Sequence, residues 1–231
     1  HVMNSLATTA TAAITTTSAA GANSNNKFYT NTVQNCNTGI ALMGFAAVSA
    51  VLGDNSNDIG GIAISTGNNI LNYGGAVAST TTAIGVRLTN QWGANVSYNT
   101  INNNNGSGVS HTNSLRGIWG QSGGTSANLT INNNNITLAS LATGASSCVG
   151  IENAIGSTAA GNTVSISNNI ITGTYTSATT GTMTGITNTA TAATVNILGN
   201  TVNNFAMPGT GAWTGISNAA ATTNVNINNN I

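Results

Sequence analysis

A chain of 231 residues is long enough for one sizeable domain or two small ones. Three basic and three acidic residues make up only 3% of it, against about 25% in an ordinary soluble domain. The net charge is zero, which leaves no electrostatic footprint for nucleic acid or an anionic membrane surface. No apolar run approaches the ~18 residues of a membrane-spanning helix, so no membrane insertion is expected. The chain holds 40 Asn, 38 Thr, 28 Gly and a single Pro. A hydrophobic fraction of 40%, with Val and Ile in alternation, separates it from disordered sequences and predicts short strands between Asn/Gly turns.

In chain order, one phrase keeps returning. It centres on Asn31, Asn69, Asn99, Asn134, Asn169, Asn200 and Asn230, at spacings of 38, 30, 35, 35, 31 and 30 residues. Five positions before each Asn stand Asn26, Ile64, Ala94, Leu129, Val164, Val195 and Val225. Three positions before stand Phe28, Thr66, Val96, Ile131, Ile166, Ile197 and Ile227. Two positions after stand Val33, Leu71, Ile101, Ile136, Ile171 and Val202. The apolar fit is nearly complete in the last five units and poorer in the first two. Residues 1–60 are therefore expected to form irregular or degenerate coils and 61–231 regular ones, within one segment spanning 1–231. A second phrase keeps step with the first: Gly85-Val86, Gly117-Ile118, Gly150-Ile151, Gly185-Ile186 and Gly215-Ile216, three of them continuing to Asn153, Asn188 and Asn218.

Short alternating strands at this period, without helical patterning, predict an all-β stacked solenoid. The expected fold is a right-handed parallel β-helix of about seven coils with ~30–35-residue repeats. Inward residues then stack on the same residues of the next coil, about 4.8 Å away. A β-sandwich has no reason to repeat one Asn seven times. The column Asn69, Asn99, Asn134, Asn169, Asn200 and Asn230 is expected to turn corners, since Asn tolerates a left-handed backbone and its amide pairs with nearby main chain. Stacked Asn amides also form ladders along an axis.

The phrases V-x-I-x-x-N-x-[IV] and G-[IV]-x-N resemble the parallel β-helix repeats of secreted bacterial proteins. In particular they are similar to the Asn/Thr/Gly-rich repeat regions of very large surface adhesins of Bacteroidetes, over most of residues 60–231. That resemblance implies a secreted or cell-surface location, export as cargo of the type IX secretion system, and membership in a longer chain. An uncapped terminal coil is a sheet edge, so self-association or packing through terminal coils is expected.

Chemistry-bearing residues are scarce. The acids are Asp54, Asp58 and Glu152. Asp54 and Asp58 lie in the stretch DNSND, a weak candidate for an oxygen-rich cation loop; it lacks the Gly and distant Glu of an EF-hand, and a solvated turn is the favoured reading. Glu152 lies several coils away, which disfavours a catalytic carboxylate pair. His111 is isolated, so no zinc site is expected. Cys36 and Cys148 are too few for a disulfide framework and fall about three to four coils apart, beyond bridging distance, so both read as free thiols. Four Asn-x-Ser/Thr sequons, at Asn95, Asn105, Asn128 and Asn135, carry little weight in so Asn- and Thr-rich a chain.

One outward column carries more interest. Two residues after the recurring Gly stand Arg87, Trp119, Glu152, Thr187 and Ser217. Arg87, Trp119 and Glu152 form a candidate sugar platform, with an aromatic face for the apolar side of a ring and polar neighbours for hydroxyls. The Thr-x-Thr pairs of residues 172–194 resemble the arrays of ice-binding solenoids, but they cluster in one coil. The expected function is a noncatalytic extracellular structural or adhesive module without metal or cofactor, with a glycan or cell-surface molecule as possible ligand. The alternatives are a carbohydrate-active β-helix protein with its catalytic residues outside this stretch, and an ice-binding solenoid.

Overall fold

An apolar-x-apolar segment buries one face and solvates the other, and this chain buries those faces by winding. The computed structural model describes residues 2–4, 22–44, 46, 53–75, 80–105, 111–122, 127–222 and 224–231. Within them the molecule is a parallel β-solenoid with 54% strand, and no α-helix is present among the described residues. Each turn places one strand in each of three sheets, all pairs parallel. Sheet 1 holds Lys27–Phe28, Asp58–Ile59, Ala94–Ser97, Leu129–Asn132, Thr163–Ser167, Thr194–Leu198 and Asn224–Asn228. Sheet 2 holds Thr32–Gln34, Asn69–Leu71, Thr100–Asn102, Asn135–Ser140, Ile170–Tyr175 and Thr201–Ala206. Sheet 3 holds Val2–Asn4, Thr38–Met43, Ala83–Thr89, Leu115–Ser122, Ser147–Asn153, Thr182–Asn188 and Ala212–Asn218. A small side pair joins Asp54–Asn55 to Gln91–Trp92.

The stack amounts to about five turns rather than the seven coils expected. Two- and three-residue strands begin sheets 1 and 2, and a lone sheet 1 strand follows the sixth Gly-Ile strand, so the layers at the two ends are slighter than the repeat count suggests.

The core is built from columns of one residue type. Ile59, Val96, Ile131, Ile166 and Ile197 stack in sheet 1, Ile70, Ile101, Ile136 and Ile171 in sheet 2, and Ile40, Val86, Ile118, Ile151 and Ile186 in sheet 3, all at most 1% exposed. Burying each such side chain contributes about 1.5–3 kcal/mol. The recurring Gly has a steric cause. At Gly39, Gly85, Gly117, Gly150 and Gly185 an added Cβ would lie 2.4–2.6 Å from the carbonyl oxygen of the same Gly one turn on. It would also lie 2.3–2.6 Å from a methyl of Ile70, Ile101, Ile136, Ile171 or Val202. Sheets 2 and 3 meet there too closely for any side chain. The phrase thus begins one turn earlier than expected, at Gly39-Ile40.

One unit departs from the spacing. From the aligned sheet 1 residue to the next corner Asn is three residues at six corners, as in Val96 to Asn99, but nine from Ile59 to Asn68. Six additional residues therefore sit at this corner, folded around the 3₁₀ turn Ile64–Thr66. They shift the expected alignment. Ile64 is not core but 86% exposed, and Ile70 rather than Leu71 points inward at 0% exposure. Thr66 closes the loop instead, its hydroxyl donating to the carbonyls of Gly60 and Ala63 at 2.5 and 2.7 Å.

Candidate functional site

The Asn column lies at the corner between sheets 1 and 2, and it forms a continuous axial ladder through Asn31, Asn68, Asn99, Asn134, Asn169, Asn200 and Asn230. Asn68, not Asn69, occupies the second rung. Asn69 is exposed and starts a sheet 2 strand, paired with Thr100, and the inward residue two positions after the rung is Ile70. At every step the side-chain Oδ1 of one Asn accepts both the backbone N–H and the Nδ2–H of the Asn one turn before, for example at 3.0 and 2.9 Å from Asn134 to Asn169. The other Nδ2 proton goes to a sheet 1 carbonyl, as from Asn134 to Val96 at 2.9 Å and from Asn169 to Ile131 at 3.0 Å. The left-handed backbone expected of the column belongs instead to the preceding residue: Thr30, Tyr98, Asn133, Asn168, Gly199 and Asn229, at φ 53–63°. Asn and Gly adopt that conformation most readily. Corner and ladder are therefore two adjacent jobs. A second, shorter ladder runs through Asn153, Asn188 and Asn218 at 2.9 and 2.8 Å, and a third links Asn26, Asn57 and Gln91.

Arg87, Trp119 and Glu152 are direct neighbours in register on the outer side of sheet 3, followed by Thr187 and Ser217. The sequence reading missed Arg116. It stands one position before the recurring Gly, in a column that also holds Thr38, Ile84, Val149, Thr184 and Thr214. A charge in an otherwise uncharged column was the available signal. Its guanidinium pairs with Glu152 and also donates to Ser147. The Arg87 guanidinium donates to Gln121 Oε1 at 3.0 and 2.7 Å. Both arginines stand over the Trp119 ring, at 5.6 and 5.9 Å from its centroid. The indole thus already has two cationic partners within the chain.

Asp54 and Asp58 do not converge. Asp54 is buried, accepting from the Asn23 N–H at 2.8 Å and from Gln91 Nε2 at 3.3 Å. Asp58 accepts from Tyr29 Oη, Asn95 Nδ2 and the Gly61 N–H at 2.5, 2.7 and 3.0 Å. Each carboxylate is engaged by hydrogen-bond donors and Asp54 is 1% exposed, so DNSND holds a pair of structural anchors rather than the solvated turn expected. Among the described residues no three of His, Cys, Asp or Glu group in a way that could hold a metal. The Asp58 hydrogen bond holds the Tyr29 hydroxyl protonated, pushing its pKa up to about 12.

His111 is fully buried; its Nδ1 accepts from the Gly75 N–H and its Nε2 donates to the Ser114 carbonyl, each at 3.1 Å. Burial lowers its pKa and favours the neutral ring. Cys36 and Cys148 are free thiols, each with its pKa raised by burial. The Thr pairs of 172–194 spread around one turn. Thr172 and Thr174 lie in sheet 2, Thr182, Thr184 and Thr187 in sheet 3, and Thr194 in sheet 1. Thr174 is flanked in its column by Ala139 and Ala206, and Thr187 by Glu152 and Ser217.

The inserted corner loop forms one wall of a surface depression of about 350 Å³, lined by Asp58, Gly61, Ile62, Asn95, Ser97, Tyr98 and Asn132. Nothing in the repeat pattern announced it; the signal was the one irregular spacing. No family model, curated protein or solved structure matches the chain.

Proposed function

We propose that the chain is a noncatalytic structural and adhesive β-solenoid module of a bacterial secreted or cell-surface protein, a stiff rod whose three faces are displayed to the surroundings. The observation that supports this reading is the axial Asn ladder. It adds a buried, neutral hydrogen-bonded column to three in-register parallel sheets, so each turn is fixed to the next twice over. Neutral hydrogen bonds resist changes of ionic strength that weaken exposed ion pairs, and such changes are what an external environment imposes. The test is labelling of intact source cells with antibodies raised against the chain. Labelling without permeabilisation is the expected result, and signal only after permeabilisation would overturn the reading.

A further inference from the structure

We propose that the outer side of sheet 3 carries a carboxylate-binding site at Arg87. This goes beyond the rod reading and does not rest on it. The chain has three cationic side chains, Lys27, Arg87 and Arg116, and three acids, Asp54, Asp58 and Glu152. Lys27 stands beside Asp58 in register, and Arg116 is paired with Glu152. Asp54 is buried against Asn23 and Gln91. Among the described residues Arg87 has no such carboxylate neighbour; its guanidinium donates to the neutral amide oxygen of Gln121. Yet Arg87 and Arg116 converge on a single indole, that of Trp119. Bringing two like charges together is unfavourable unless anions balance both, and the chain itself supplies an anion for one.

The geometry selects the ligand's chemistry. A guanidinium carries its N–H donors in a planar fork. Arg87 directs Nε–H and one Nη2–H to Gln121 Oε1, at 3.0 and 2.7 Å, which occupies the side-on edge. The end-on edge, one hydrogen on Nη1 and one on Nη2, makes no hydrogen bond among the described residues. Two parallel N–H groups match the two oxygens of a carboxylate. Gln121 and the Trp119 ring hold this fork in place. Arg116 has no open fork, because its Nη1 donates to the carbonyls of Leu115 and Ser147. Arg87, Trp119 and Gln121 are each partly exposed rather than buried. Glu152 lies in register with Trp119 between it and Arg87, about 9.6 Å from Arg87 at the ~4.8 Å strand spacing. Its charge disfavours a dianion such as phosphate more than a monovalent carboxylate.

The test uses the whole chain labelled with heavy nitrogen and read by NMR. Its two arginines give two Nε–H signals, and Arg87→Lys assigns them. The probes are the methyl glycoside of galacturonate and N-acetylglutamate α-amide, two sources of one carboxylate, with methyl galactoside and inorganic phosphate as comparisons. Both carboxylates are expected to shift the Arg87 signal saturably, and the tighter of the two names the source. Methyl galactoside should leave the signal unmoved, and phosphate should bind about threefold more weakly or worse. The Trp119 indole N–H signal reports both fold and binding in the variants. Arg87→Gln should abolish binding. Arg87→Lys keeps the charge but loses the fork, and should weaken binding about tenfold. Glu152→Gln removes the nearby negative charge and should tighten binding about twofold. The proposal is overturned if neither carboxylate shifts the Arg87 signal, or if binding survives Arg87→Gln. It is equally overturned if Arg87→Lys binds as tightly as wild type, or if phosphate binds as tightly as the carboxylates.

Discussion

Asn134 and Asn169 share a single oxygen: Oδ1 of Asn169 accepts both the backbone N–H and the side-chain Nδ2–H of Asn134, at 3.0 and 2.9 Å, with both residues at most 1% exposed. Because the pattern repeats, removing one rung harms two turns. Asn169→Ala would orphan the Asn134 N–H, one Asn134 Nδ2 proton and the Ile131 carbonyl. At about 1–3 kcal/mol for each unsatisfied buried group, the loss should reach about 3 kcal/mol or more. Asn230→Ala, at a half-exposed rung, should cost about 1 kcal/mol. Asn169→Asp aims a carboxylate oxygen at the Ile131 carbonyl and Asn200 Oδ1, so it should be worse than Ala at neutral pH. Its folded-state pKa is raised, so its deficit should narrow as pH falls and the acid takes up a proton. Urea denaturation of the three variants across pH checks all of this; equal losses at rungs 169 and 230 would contradict the ladder's role.

The Gly-Ile phrase makes a sharper comparison, because two of its members sit in opposite surroundings. A Cβ on Gly150 would meet Ile171 Cγ2 at 2.5 Å and the Gly185 carbonyl at 2.6 Å, whereas a Cβ on Gly215 meets nothing within 4 Å. Backbone cannot yield as a flexible side chain can. Gly150→Ala should therefore destabilise by about 3 kcal/mol or more. Gly215→Ala should be neutral or stabilise by up to about 1 kcal/mol by stiffening the unfolded chain. Thermal midpoints of the two variants decide the matter.

Most of this architecture is legible in the sequence because each turn repeats its neighbour's problem. Ile131, Ile166 and Ile197 recur for the reason that they stack on one another, and counting spacings finds them. The same counting fails where a turn solves a local problem. The insertion after Ile59 puts Ile64 in solvent, and at the adjacent Asn68 and Asn69, each followed two residues on by an apolar residue, spacing does not single out Asn68 as the rung. Left-handed backbone and ladder hydrogen bonding occupy neighbouring residues, such as Asn133 and Asn134, and a single-residue pattern merges them. The outward column of Arg87, Trp119 and Glu152 follows directly from strand alternation, but the engagement of Arg116 with that column depends on side-chain reach across turns, which spacing does not encode.

His111 gives the chain an acid limit. The buried ring accepts the Gly75 N–H at Nδ1, and a protonated Nδ1 would face that donor with a second hydrogen. The folded-state pKa is lowered, chiefly by burial, so the unfolded chain takes up the proton more readily. Stability should be fully present above the unfolded value of ~6.5 and should decline as pH falls from there through the lowered folded pKa. Guanidinium unfolding measured at closely spaced acidic pH values should show that slope in the wild type. His111→Gln should lose it, although the variant starts from lower stability.

Tyr29 gives a corresponding alkaline limit. Its hydroxyl donates to Asp58 Oδ2, and that hydrogen bond, more than desolvation or the carboxylate's charge, raises its pKa to about 12. The unfolded chain releases the same proton near ~10. The Tyr29 contribution to stability should therefore be intact below pH ~10 and should disappear as pH rises through about 12. Tyr29→Phe should remove this alkaline step, which isolates it from the other tyrosines. Asp58→Asn takes away both the anionic acceptor and its charge, and should return the Tyr29 titration toward ~10 in the difference between Asp58→Asn spectra recorded with and without Tyr29→Phe. A tyrosinate absorbance titration of these variants reads the shift directly. An Asp58→Asn protein in which Tyr29 still ionises near 12 would refute the assignment of the shift to that hydrogen bond.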